Sequence, residues 1–210
     1  MLVTKKIGAS FVAIVAVCAS LPASADDKAG TYARIFGGLS QLSDTDLSGS
    51  SSASIGFDTG QVIGAAVGYD FGAQPFRTEL EFAYRTSDAD GSSGIKGDLA
   101  STTLALNGYY DFSPIGSSKV TPYVGAGLAY VTEIDFDVTG GTASGEYNDT
   151  GVFAYQLMVG AMYPINDKWS LTSELRYFDA GSQSLGGPGG STLRSDYDLV
   201  EVTVGAAFRF

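Results

Sequence analysis

The sequence predicts an all-β fold, an eight-stranded antiparallel β-barrel that crosses a membrane. Three observations carry this prediction. Apolar and polar residues alternate with a period of two along nearly the whole chain beyond residue 26. The alternating runs are joined by connections that are short and long in turn. Aromatic residues sit at both ends of the apolar stripes. A barrel of this kind needs no apolar helix, because every backbone N–H and C=O is satisfied between strands.

The chain has 210 residues, suited to one domain, with 28 glycines, 12 tyrosines and 12 phenylalanines. Residues 1–25 have the features of a Sec signal peptide. Lys5 and Lys6 form the charged region, residues 7–21 form an apolar run too short to span a bilayer, and Ala23 and Ala25 flank the cleavage site. An uncleaved anchor is disfavoured by the charged Asp26 and Asp27 that follow. A lipidated Cys18 is disfavoured by Val17, which is not a small residue. Cleavage leaves residues 26–210 as a single barrel domain with no cysteine, which excludes disulfides and thiolate chemistry. Loss of two lysines would take the formal charge from -11 to -13. Such an acidic chain offers no basic stripe for nucleic acid.

The clearest strand is residues 76–86. Phe76, Thr78, Leu80, Phe82 and Tyr84 lie on one face, and Arg77, Glu79, Glu81, Ala83 and Arg85 on the other. Residues 30–42 form a less regular first strand, with Ala33, Ile35 and Leu39 toward lipid and Arg34 inward. Residues 61–71 set Ile63, Val67, Tyr69 and Phe71 against glycines and Asp70. Residues 99–112 set Leu104, Leu106 and Tyr110 against Thr103, Asn107, Tyr109 and Asp111. Residues 120–130, 152–165, 169–178 and 199–210 repeat the pattern, which gives eight strands of about ten residues each. Short connections lie near residues 72–75, 113–119 and 166–168, and long ones near 43–54, 87–98, 139–151 and 179–198. Both termini then sit on the short-turn side, the periplasmic side of such barrels, and the long loops are extracellular. A soluble barrel or sandwich would also alternate. It would not need two girdles of aromatics, here Tyr84, Tyr130 and Tyr155 at one rim and Phe76, Phe112, Tyr163, Trp169 and Phe210 at the other.

The last strand carries a resemblance. Val202, Val204, Phe208 and a terminal Phe210 resemble the C-terminal signal of bacterial outer-membrane proteins. Residues 121–130 and 171–177 are similar to the small OmpA/OmpX-type barrels and to the opacity-type surface antigens. The resemblance implies a bacterial outer-membrane location and contact with outer-membrane lipid and lipopolysaccharide. It also implies recognition of the last strand by the barrel-assembly machinery. The chain stops at the barrel, so the peptidoglycan-binding domain of full-length OmpA is not expected.

The sequence contains no histidine. Enzymatic outer-membrane barrels use one as general base, so no catalytic residues are expected here. No cofactor or metal site is expected either, because Asp44, Asp46, Asp88 and Asp90 lack the spacing of a calcium loop and suit turns. The dense constellation faces inward: Arg34, Asp70, Arg77, Glu79, Glu81, Arg85, Asp111, Glu174, Arg176, Glu201 and Arg209. A barrel of eight strands is just wide enough to be filled by side chains. These charges are expected to pair and plug it. Glu133, Asp135 and Asp137 extend the inward parity as an acidic mouth. The function expected is structural or surface-interacting: membrane integrity, adhesion or antigen presentation, with a host or surface ligand met through the loops. The alternative is a small gated ion or solute channel, and a lipid-modifying envelope enzyme is less favoured. The fold makes one prediction independent of function. The mature protein should run at different positions on a detergent gel before and after boiling. A constant mobility, with solubility in the absence of detergent, would contradict the membrane barrel.

Overall fold

The computed structural model describes residues 29–42, 45–47, 53–57, 59–91, 96–139, 145–149, 151–186 and 192–210. The expected leader, with Ala23 and Ala25, lies outside the described residues, as do Asp44 and the glycine-rich loop tip at 187–190. The described residues form eleven strands and no helix: β1 (Ala29–Leu42), β2 (Thr45–Leu47), β3 (Ala53–Phe57), β4 (Gly60–Phe71), β5 (Phe76–Gly91), β6 (Lys96–Asp111), β7 (Thr121–Thr139), β8 (Gly145–Asp149), β9 (Val152–Pro164), β10 (Trp169–Gly186) and β11 (Thr192–Arg209).

Eight of these close a ring. β1 pairs with β4, then β5, β6, β7, β9, β10 and β11 follow, each antiparallel to the last. β11 returns to β1 in an unbroken register from Tyr32 opposite Arg209 to Leu42 opposite Leu199. No edge strand of the ring is left open, as a bilayer requires. The short strands extend the ladder at the long-loop end, where β3 pairs with β5, β2 with β3, and β8 with β7.

Alternation fixes which face each side chain takes. Ile35, Leu80, Leu106, Leu128, Leu157 and Val204 are each more than half exposed on the outer wall. An apolar exposed belt of this kind is stable only against hydrocarbon. Aromatic rings bound it. At the short-turn end Phe76 packs edge-on to Tyr110, Tyr110 to Phe112, and Phe208 to Phe210, and Trp169 tilts against Phe208. At the other rim Tyr130 packs against Phe153 and Tyr155 against Tyr177.

The turns at the short end are closed by side chains. Asp70 Oδ1 accepts the N–H of Gly72 at 2.8 Å, and Gly72 takes a positive φ of 67° that favours glycine. Asn166 Oδ1 accepts the N–H groups of Lys168 and Trp169, each at 2.9 Å.

The strands are longer than the ten or so residues expected, reaching 19 in β7. Much of two expected loops is strand, because β5 continues to Gly91 and β10 to Gly186. Asp88 and Asp90 therefore belong to β5, opposite Asp98 and Lys96, and are not turn formers. The acidic mouth expected from Glu133 and Asp135 is also corrected. Thr102 pairs with Glu133 but Thr103 with Val131, so Thr132 is an extra residue, a β-bulge. The parity reverses there: Val131 and Ile134 are buried in the lumen at 0% and 2% exposure, and Glu133 is exposed.

Part of the glycine richness has a packing cause. Phe36 lies directly opposite Gly64, Tyr32 opposite Gly68, Tyr109 opposite Gly125, and Tyr123 opposite Gly160. In each pair a Cβ on the glycine would overlap the ring. The lumenal aromatics lie flat over the neighbouring strand because that strand has no side chain. Gly68→Val should therefore cost about 1–3 kcal/mol in the urea unfolding of refolded barrel. Gly108→Ala, whose Cβ would meet nothing closer than 4.0 Å, should be near neutral. Equal effects of the two would contradict this packing.

Candidate functional site

Among the described residues, charged side chains converge in the lumen, and each arrives by the same rule. Alternate residues of a strand point inward, so Arg77, Glu79, Glu81 and Arg85 form a column down β5. Arg34 faces them from β1, Glu174 and Arg176 from β10, and Glu201 from β11. All eight are at most 5% exposed, four cations against four anions.

Arg34 Nη2 meets Glu79 Oε2 at 2.6 Å and Glu81 Oε2 at 3.2 Å. Arg176 bridges three carboxylates: Glu81 at 2.5 Å, Glu174 at 2.8 Å and Glu201 at 3.7 Å. Arg85 Nε pairs with Glu201 Oε1 at 2.6 Å. At the periplasmic end Arg77 Nε meets Asp111 Oδ2 at 2.6 Å, and Arg209 pairs with Asp70. Arg77 also lies 3.6 Å from Glu79, so nine of the eleven inward charges form one connected network, and the periplasmic pair Asp70–Arg209 stands apart and is the most exposed. Isolated buried charges would each cost several kcal/mol, so the pairing is a condition of folding.

Neutral groups complete the hydrogen bonding, and sequence reasoning left them out of the network. The Tyr32 hydroxyl donates to Glu79 at 2.7 Å, and Tyr123 to Glu174 at 3.1 Å. Asn107 Nδ2 donates to Glu81 at 3.2 Å, and its Oδ1 accepts from Gln156 Nε2 at 2.6 Å. Thr103 Oγ1 accepts from Arg85 at 2.8 Å. Arg77 lies 4.8 Å from the Tyr109 ring centroid and 5.1 Å from that of Tyr123, a favourable cation–π arrangement. The signal for Tyr32 was present in its parity with Arg34, two residues on.

Above this layer, toward the long loops, the lumen becomes apolar. Leu42, Leu99, Val131, Ile134, Phe178 and Leu199 pack there as one cluster, with Val131, Phe178 and Leu199 at 0% exposure. Arg85 stacks 4.9 Å over the Phe178 ring and joins the two layers. Tyr197 and Ser101 share a hydrogen bond of 2.7 Å at its edge. The paired charges thus fill the lower half of the lumen, and this apolar cluster fills the upper half. Phe178 and Leu199 in this layer take the same inward face as Arg176 and Glu201. Among the described residues no group of three or more acidic or thiol side chains is placed to hold a metal.

The chain resembles known proteins across this whole architecture. The family described as "Outer membrane protein beta-barrel domain" matches residues 9–210. The outer membrane protein PagN of Salmonella typhimurium is 33% identical over 144 residues, 58% of this chain and 58% of PagN. The 31 kDa outer-membrane immunogenic protein of Brucella melitensis is 28% identical over 73% of this chain and 61% of its own length. The chain thus spans about three fifths of the length of these relatives. The crystal structure of OprG from Pseudomonas aeruginosa superposes with a TM-score of 0.60 at 20% identity, covering 87% of this chain and 97% of OprG. Neisserial surface protein A superposes at 0.51 and 18% identity, covering 87% and 99%. These structures share the fold. The chain belongs to the outer membrane protein β-barrel domain family, a membrane-embedded barrel of the bacterial outer membrane whose outer wall contacts lipid.

Proposed function

We propose that the protein is a closed outer-membrane barrel with a structural or surface-interaction role, its long-loop end presented outside the cell. The observation that carries this reading is the double filling of the lumen. A paired charge layer spans the lower half, and an apolar layer with members at 0% exposure spans the upper half. A channel reading must move both. Ion pairs can rearrange, but opening the apolar layer would also expose Leu199, Phe178 and Val131 to water, at about 1.5–3 kcal/mol for each large side chain. An immunogenic outer-membrane protein among the relatives supports surface exposure of the loop end.

The same reading covers biogenesis. Residues 1–25 would serve as the export signal, cut after Ala25. Val202, Val204, Phe208 and Phe210 would present the outward face of the last strand to the barrel-assembly machinery, and lipopolysaccharide would pack on the outer girdle. The lumen, with no histidine and every one of the eight buried charges in an ion pair, suits a non-enzymatic barrel.

Planar-bilayer recording of the refolded protein tests the closed lumen. No discrete conductance is expected from the parent, nor from Arg77→Ala or Glu79→Ala, because the apolar layer stays in place. Stepwise openings in either variant would favour the channel. Exchange of the long loops should abolish whatever surface binding the parent shows and leave the boiled and unboiled gel positions distinct. Binding that survives the exchange would contradict presentation by the loops.

A further inference from the structure

The lumen is not filled at its periplasmic end. A cavity of about 40 Å³ opens there, between the charge layer and the turn at residues 166–168. About 10–15 Å³ is enough for one water, so the chamber has room for a small ion with water beside it. The charged side chains on its wall are Arg34, Arg77, Arg209 and Lys168 with Asp70 and Asp167, and Glu79 and Asp111 pair with Arg34 and Arg77 behind the wall.

One wall group has an unmet need. Arg34 is 3% exposed. Its Nε and Nη2 are committed to Glu79 and Glu81, but its Nη1 has no hydrogen-bond partner. A buried charged donor without an acceptor is costly. The other two arginines around the chamber are already engaged, and Lys168 Nζ lies 5.6 Å from the Phe208 ring centroid. Arg77 is held by Asp111 and by the Tyr32 hydroxyl, and Arg209 by Asp70. The carboxylates of Glu79 and Glu81 turn toward Arg34 Nη2 and Arg176, and among the described residues no acceptor meets Arg34 Nη1.

We propose that this chamber binds a single halide-sized anion, drawn from the periplasm and held by Arg34 Nη1. An anion supplies the missing acceptor and faces a wall on which four charged residues are cationic and two anionic. Its closest cations are already fixed in place by Asp111, Asp70 and Tyr32, so binding orders little that is not ordered already. The site is independent of whatever the loops bind.

Crystals of the refolded mature barrel grown in sodium bromide provide the direct test. Anomalous scattering should place bromide within hydrogen-bond reach of Arg34 Nη1. A chamber holding water alone, with bromide only on the exterior, would overturn the proposal. A solution arm uses melting of the barrel in sodium bromide against sodium gluconate, whose anion is too large to enter, at equal ionic strength. Bromide should raise the melting temperature of the parent specifically. Ala207→Leu, which adds apolar bulk to the chamber wall and replaces no charged residue, should weaken that dependence by about tenfold or more. Ser170→Leu is a second filling variant on a different strand, should the first not refold. A bromide response absent from the parent, or unchanged in the filled variants, would overturn the site.

Discussion

The compensation of charge inside the barrel is the constraint on which the rest of the structure depends. Eight strands enclose a lumen narrow enough that inward side chains touch across it. Arg34, Arg77, Arg85 and Arg176 must therefore find anions inside it; Arg77–Glu79 and Arg176–Glu174 pair within a strand, while Arg34 reaches Glu79 and Glu81, Arg77 Asp111, Arg85 Glu201 and Arg176 Glu81 on other strands. These contacts cross the barrel: Arg85 to Glu201 spans 116 residues of chain, and Arg176 to Glu81 spans 95. A one-residue slip in any strand would send its charges into lipid and its leucines into the lumen. The charge layer and the apolar belt thus enforce one register together.

The aromatic–glycine pairs serve the same end. Tyr32 can donate to Glu79, and Tyr123 to Glu174, only because Gly68 and Gly160 let their rings lie over the neighbouring strand. The rings fill the space between guanidinium groups and stack on Arg77. Glycine content that reads as turn-forming in composition is here partly a device for packing the lumen.

Much of this was legible in the sequence because the period of two maps directly onto inside and outside. The alternation of residues 76–86 assigns Arg77, Glu79, Glu81 and Arg85 to one face without any knowledge of their partners. Which arginine meets which glutamate was not legible, since it depends on strand order and stagger around a closed ring. The bulge at Thr132 left no mark in composition, yet it turns Glu133 outward and Ile134 inward. The apolar upper layer was hidden for a related reason. Phe178 follows Tyr177, and Leu199 precedes Val200, so both faces are apolar there and alternation is lost. The unpartnered Arg34 Nη1 is a matter of atomic geometry alone.

The sealed lumen requires that its Arg–Glu contacts act as coupled pairs, and not as independent polar residues. A double-mutant cycle on Arg85 and Glu201, each replaced by Met, measures this most directly in the unfolding of refolded barrel. Each single replacement should be strongly destabilising, on the order of 3–5 kcal/mol, because it strands the opposite charge. The double replacement should cost less than the sum by about 1–3 kcal/mol. Additive losses would contradict the central claim.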